Sequence, residues 1–150
     1  MSSTVGKQSL TVTISEAINL KGNNFACKTQ FEVSNISNIS SRVLTIPTHE
    51  VDVIILSSSA GAGTFASSSL KYARVTNLDN ANFIRLTFSS GSKNQCQFKL
   101  DPLRSIVFTN DQYSGSATGS VSFDSFAGFT NLKGEANTAD CALEIYVATT

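Results

Sequence analysis

Apolar side chains return at every second position along most of this chain, and no segment carries a 3.6-residue apolar stripe long enough for a helix. A polypeptide patterned this way can bury one face of a pleated strand, but not one side of a helix. Leu10, Val12 and Ile14 alternate with Thr11, Thr13 and Ser15. Cys27, Thr29, Phe31 and Val33 share a face opposite Lys28, Gln30 and Glu32. Leu44 and Ile46 extend the pattern until Pro47 ends it, and Val51–Leu56 is apolar enough for a strand covered on both faces. Further runs are Leu70–Thr76, Phe83–Phe88, Gln95–Leu100, Ser105–Thr109, Val121–Phe126 and Cys141–Ala148. Ser15–Leu20 has room for one helical turn before Gly22-Asn23-Asn24 stops it. The pattern predicts an all-β chain, a single-domain antiparallel β-sandwich or jelly-roll-like barrel of about eight to ten short strands. That domain is expected over residues 9–150, behind an N-terminal arm of residues 1–8.

The connections carry turn chemistry. Asn77–Asn82, Ser89–Asn94 and Asp101-Pro102-Leu103 join successive strands, so residues 70–109 read as a four-stranded antiparallel meander. Two longer segments, Ser57–Ser69 and Tyr113–Ser120, are Ser/Gly/Ala-rich loops of the length that is either mobile or functional. Phe65 sits alone in the first. It is placed either to insert into a neighbouring molecule or, the favoured reading, to fold back as a plug on its own core.

Composition narrows the function. Serine, threonine and asparagine supply one third of the 150 residues, whereas charged residues supply 15%. Short polar side chains suit strands and turns and offer little acid/base equipment. Eleven basic and eleven acidic residues cancel and are scattered, so there is no basic stripe to grip nucleic acid. No segment is apolar enough for a membrane span or a signal peptide, which predicts a soluble chain assembled in a cytoplasm. The three cysteines, Cys27, Cys96 and Cys141, lack ligand spacing, and each is expected to point inward as a small hydrophobe. With one histidine, no metal site and no cofactor are expected.

Searches for catalytic patterns end without a nucleophile. His49 lies between Pro47 and the acids Glu50 and Asp52, which reads as a solvated turn, not as part of a triad. Gly61-Ala62-Gly63 has no following helix to make a phosphate cradle. Asn35-Ile36-Ser37 and Asn38-Ile39-Ser40 are acceptor sequons that read as a chance repeat in a turn. Phe31, Phe88, Phe98, Phe108 and Phe123 are assigned to the core. Tyr72, Tyr113 and Tyr146 are the candidate platforms of a carbohydrate-binding module.

Three segments resemble small virion proteins of tailed bacteriophages. Lys71-Tyr72-Ala73-Arg74-Val75-Thr76-Asn77-Leu78-Asp79 followed by Asn82-Phe83-Ile84-Arg85-Leu86 is similar to that family's strand–turn–strand phrase. Phe98–Phe108 is similar to its following hairpin, with Leu103 where a turn glycine is common, and Thr138–Ala148 resembles its closing strand. The resemblance covers about a third of the chain. It implies a non-enzymatic head decoration or cement protein on the capsid surface of the virion. Such a protein would bind the major capsid protein or another virion protein and bridge neighbouring subunits, as a homo-oligomer with a trimer favoured. The alternatives are a tail, baseplate or head–tail connector component, or a carbohydrate-binding module. The residues expected to reach a partner are Met1, Ser2, Ser3, Thr4 and Val5 of the arm, together with Phe65.

Overall fold

A computed structural model describes residues 6–57, 61, 64–66, 69–90, 93–109 and 129–150. The expected strand Val121–Phe126, with Phe123, the loop Tyr113–Ser120 and residues Met1–Val5 lie outside the described residues. The chain forms β1 (Gln8–Leu20), β2 (Asn23–Ile36), β3 (Asn38–Ile46), β4 (Val51–Ser57), β5 (Thr64–Ala66), β6 (Leu70–Asn77), β7 (Ile84–Ser90), β8 (Lys93–Leu100), β9 (Ser105–Thr109), β10 (Asn131–Ala136) and β11 (Cys141–Thr149). Ser15–Leu20 belongs to a strand and not to a helical turn. The sheets are ordered β5-β4-β10-β7-β8 and β3-β11-β6-β9, with β1-β2 as a separate two-stranded sheet. Among the described residues all strand pairings are antiparallel except the short β4–β5 pair. The expected all-β architecture is therefore present, as two sheets packed face to face.

Between the two larger sheets lies one core. Val75, Leu143, Ile145 and Val147 meet Ile84, Leu86, Phe88 and Leu132 across the sandwich, and all are buried. Phe88 sits at its aromatic centre, with ring centroids 4.9 Å from Phe108, 5.1 Å from Phe129 and 6.0 Å from Phe98. Phe108 is on the opposite sheet, so this contact joins the two layers. At Gly134 on β10, an added Cβ would stand 3.0 Å from Val53 Cγ2 and 3.4 Å from Ile46 Cγ2. The missing side chain lets these residues close over the strand.

Residues 70–109 do not form a meander. β7 and β8 pair with each other in one sheet, while β6 and β9 pair with each other in the other. Both connections between the pairs therefore cross the sandwich, and Asn77 explains why. Its fully buried amide donates to the carbonyls of Asn82 (2.9 Å) and Leu100 (3.1 Å), while its Oδ1 accepts from Asp79 N–H (3.0 Å). Asp79 Oδ1 accepts in turn from Ala81 N–H and Asn82 N–H, and these bonds, Asn82 first, hold its carboxyl below the ordinary aspartate value. Asn77 N–H donates to Arg104 O and Leu103 N–H to Asp79 O, which ties the two crossing turns together.

The cysteines divide by environment. Cys141 is buried and Cys96 half-buried, and burial is the leading cause of the raised pKa of each thiol. Cys27, expected inside, is exposed, because its apolar/polar alternation belongs to a hairpin that leaves the body.

Leu103 has φ +58° and is 65% exposed. It follows Pro102, and Arg104 N–H donates to Asp101 O, the arrangement of a type II turn whose third position favours glycine. A non-glycine residue in this region costs about 1 kcal/mol, partly offset by the unfolded-state freedom that glycine adds. Leu103→Gly is expected to raise the melting temperature by about 1–2 °C, as read by thermal denaturation. A fall would show that the exposed leucine makes a stabilising contact.

Candidate interaction surface

The first two strands stand apart from the sandwich. They are joined by the two-residue turn Lys21-Gly22, with φ +52° and +84°. Positive φ at both central positions marks a type I′ turn, whose twist matches that of the flanking strands. Asn19 and Asn24, paired across the last rungs, share a side-chain bond of 2.7 Å. Thirteen residues of β1 extend about 40 Å at the usual strand rise.

A bulge sets where this hairpin points. The pairs Gln8↔Ile36 and Leu10↔Val33 leave one extra residue on β2, and Asn35 takes φ +64° there. Such a bulge bends the strand and re-aims it. Immediately after it, Ser37 N–H donates to Thr149 O and β3 joins the sandwich. The sequon Asn35-Ile36-Ser37 thus spans the junction between the β1–β2 hairpin, a longer arm than the expected residues 1–8, and the body.

The register places Leu10, Val12, Ile14, Glu16, Ile18 and Leu20 opposite Val33, Phe31, Thr29, Cys27, Phe25 and Asn23. These residues share one largely apolar face. At its base, Leu10, Val12, Phe31, Val33 and Ile36 pack on Tyr72, Tyr146 and Ala148 of the outer sheet surface. There Tyr72 and Tyr146 meet edge to face at 6.2 Å, and the Arg74 guanidinium lies 5.8 Å above the Tyr146 ring and bonds Glu144 at 2.6 Å. Burial is the main cause of a raised Tyr72 phenol pKa. From Thr13 to Gln30 every residue is exposed. Ile14, Ile18, Leu20 and Phe25 therefore present an uncovered stripe, each between 46% and 59% exposed. Around Ile18, Phe25 and Cys27 lies an open concavity of about 460 Å³.

The residues singled out from sequence are placed differently. Met1–Val5 are outside the described residues. Phe65 is half-buried on β5 against the main core, as the plug reading has it. Tyr72 is under the arm, Tyr146 is half-buried beside it, and Tyr113 is outside the described residues. His49 is exposed in the β3–β4 turn, and the acids beside it turn elsewhere, Glu50 to Lys133 (3.1 Å) and Asp52 to Asn131 (2.8 Å). Among the described residues no group of three or more His, Cys, Asp and Glu side chains is placed to hold a metal. Ile14, Ile18, Leu20 and Phe25 are not marked as a surface by the sequence reading, because Glu16 breaks the alternation and Ser15–Leu20 reads as a helical turn. The available signal is that Ile18 and Leu20 resume the phase of Leu10, Val12 and Ile14. Comparison with protein-family models, curated proteins and solved structures finds no match for this chain.

Proposed function

We propose that this protein is a non-enzymatic structural component of a tailed-bacteriophage virion. In this reading it decorates the outside of the head as a homo-oligomer and braces neighbouring capsid subunits. The observation that carries the structural role is the hairpin arm, with its uncovered apolar stripe held away from a tightly packed sandwich. An arm of this kind gains its stability from contact, since an isolated two-stranded sheet is marginal in water. The phage setting rests on the three resembling segments. The near-neutral, Ser/Thr-rich surface favours contacts by shape and hydrogen bonding that salt disturbs little.

The test is a protein count per particle by quantitative mass spectrometry, combined with binding of purified protein to heads that lack it. A copy number in step with the shell subunits, and heads that withstand more heating once decorated, are the expected results. A copy number in step with the tail components would favour the tail, baseplate or connector reading. Absence from particles would remove the virion assignment.

A further inference from the structure

We propose that the uncovered half of the arm seats on the outer sheet surface of a second copy of this chain, with each protomer giving one arm and receiving another. The inference goes beyond the virion reading and does not depend on which larger assembly the oligomer joins.

The contact it requires already exists within one protomer. The base of the arm lies on the outer face of the β3-β11-β6-β9 sheet through Tyr72, Tyr146 and Ala148. On either side of that patch the same face leaves Ile39 and Val43 of β3 and Val107 of β9 uncovered, each 39–59% exposed. The arm's stripe continues past the patch with Ile14, Ile18, Leu20 and Phe25. Each protomer thus holds one surplus apolar stripe and, on β3 beside the patch that the base of the arm already fits, two uncovered apolar side chains to receive it. The exposed half of the hairpin, about 20 Å long, is long enough to run along β3 past both Ile39 and Val43, which lie about 13 Å apart on that strand.

Area decides that the exchange must close. Four half-exposed apolar side chains on the arm and two on β3, Ile39 and Val43, offer about 100 Å² each, so one arm contact buries about 600 Å² counted over both partners. That is below the roughly 1,200–2,000 Å² of a stable interface. In a reciprocal pair the two arm contacts fall in one shared interface of about 1,200 Å² in total, which reaches that range, so the exchange closes as a two-fold pair. A single arm laid on an unrelated surface lacks this doubling.

Cys27 lies on the arm's apolar face and is exposed, whereas Cys141 is buried, which supplies a probe. The full chain carrying Val43→Cys is oxidised at micromolar concentration, alongside the same chain with Cys27→Ser. A disulfide-linked species that depends on both Cys27 and the thiol introduced by Val43→Cys is the expected result. Sedimentation should show a closed oligomer for the native chain and a monomer for Ile18→Asp/Phe25→Asp, with the circular dichroism of the sandwich unchanged in both. A native monomer whose Cys27 is freely alkylated, or an oligomer that survives the double substitution, would overturn the exchange. So would an arm protected only after addition of another protein. A monomer that still binds heads sinks the exchange alone, and an oligomer that ignores heads sinks the virion reading alone.

Discussion

Asn77→Ala is expected to lose about 3–5 kcal/mol of stability and to lower the melting temperature by about 10 °C. The side chain is fully buried and makes three hydrogen bonds, to Asn82 O, Leu100 O and Asp79 N–H. Truncation takes this partner from two carbonyls and one N–H, at about 1–3 kcal/mol for the buried Leu100 carbonyl and about 1 kcal/mol for each of the two partly buried groups. Water entering the space vacated by the amide recovers part of that. The damage concentrates where both crossing turns meet, so β6–β9 and β7–β8 lose their common anchor together. Thr76→Ala is the matched control. Its hydroxyl bonds Ser105 Oγ at 2.8 Å on the exposed face one residue away, and its loss should cost under about 1 kcal/mol. Equal effects from the two substitutions would show that Asn77 does not tie the turns.

Phe88→Ala is expected to cost a further class of energy, packing, at about 3–5 kcal/mol. Phe88 touches aromatic rings from its own sheet and from the facing one, so its removal opens a void that neither sheet can close without shifting. Urea unfolding should show a lower midpoint with an unchanged slope, as for a loss of stability without a change in the surface exposed. Phe88→Leu keeps most of the volume and should cost about 1–1.5 kcal/mol. In a double-mutant cycle, Phe88→Ala and Phe108→Ala should be non-additive, because the second change removes a ring already deprived of its neighbour. Additive costs would place the two rings in separate clusters. Domains of this size are stable by about 5–15 kcal/mol, so either alanine variant takes away a large fraction.

The strands were legible wherever one face was apolar and the other polar, as in Cys141–Ala148 and Leu70–Thr76. β10 was not, because Asn131-Leu132-Lys133-Gly134-Glu135-Ala136 has the composition of a turn. Its strand character comes from lying between β4 and β7, where Gly134 admits the side chains of Ile46 and Val53. Period two also says which residues share a face, but not which sheet that face belongs to. Residues 70–109 consequently read as a meander, when a buried asparagine amide routes them across the core. The same gap hid the interaction surface. Cys27 and Ile14 obey the alternation of a core strand, and only the body's failure to extend beneath them leaves them exposed. Asp101-Pro102 made the turn at Leu103 legible but not its positive φ, a conformation that glycine takes more readily at the third position of a type II turn.

The packed base of the hairpin acts as a clamp, and only the rungs beyond Val12 and Phe31 overhang it. Over that free length of about 20 Å, a bend of about 10° carries the Lys21-Gly22 tip through about 3–4 Å. A partner presented at a slightly different tilt can therefore be met by flexing the overhang alone, with the sandwich interior left as it is.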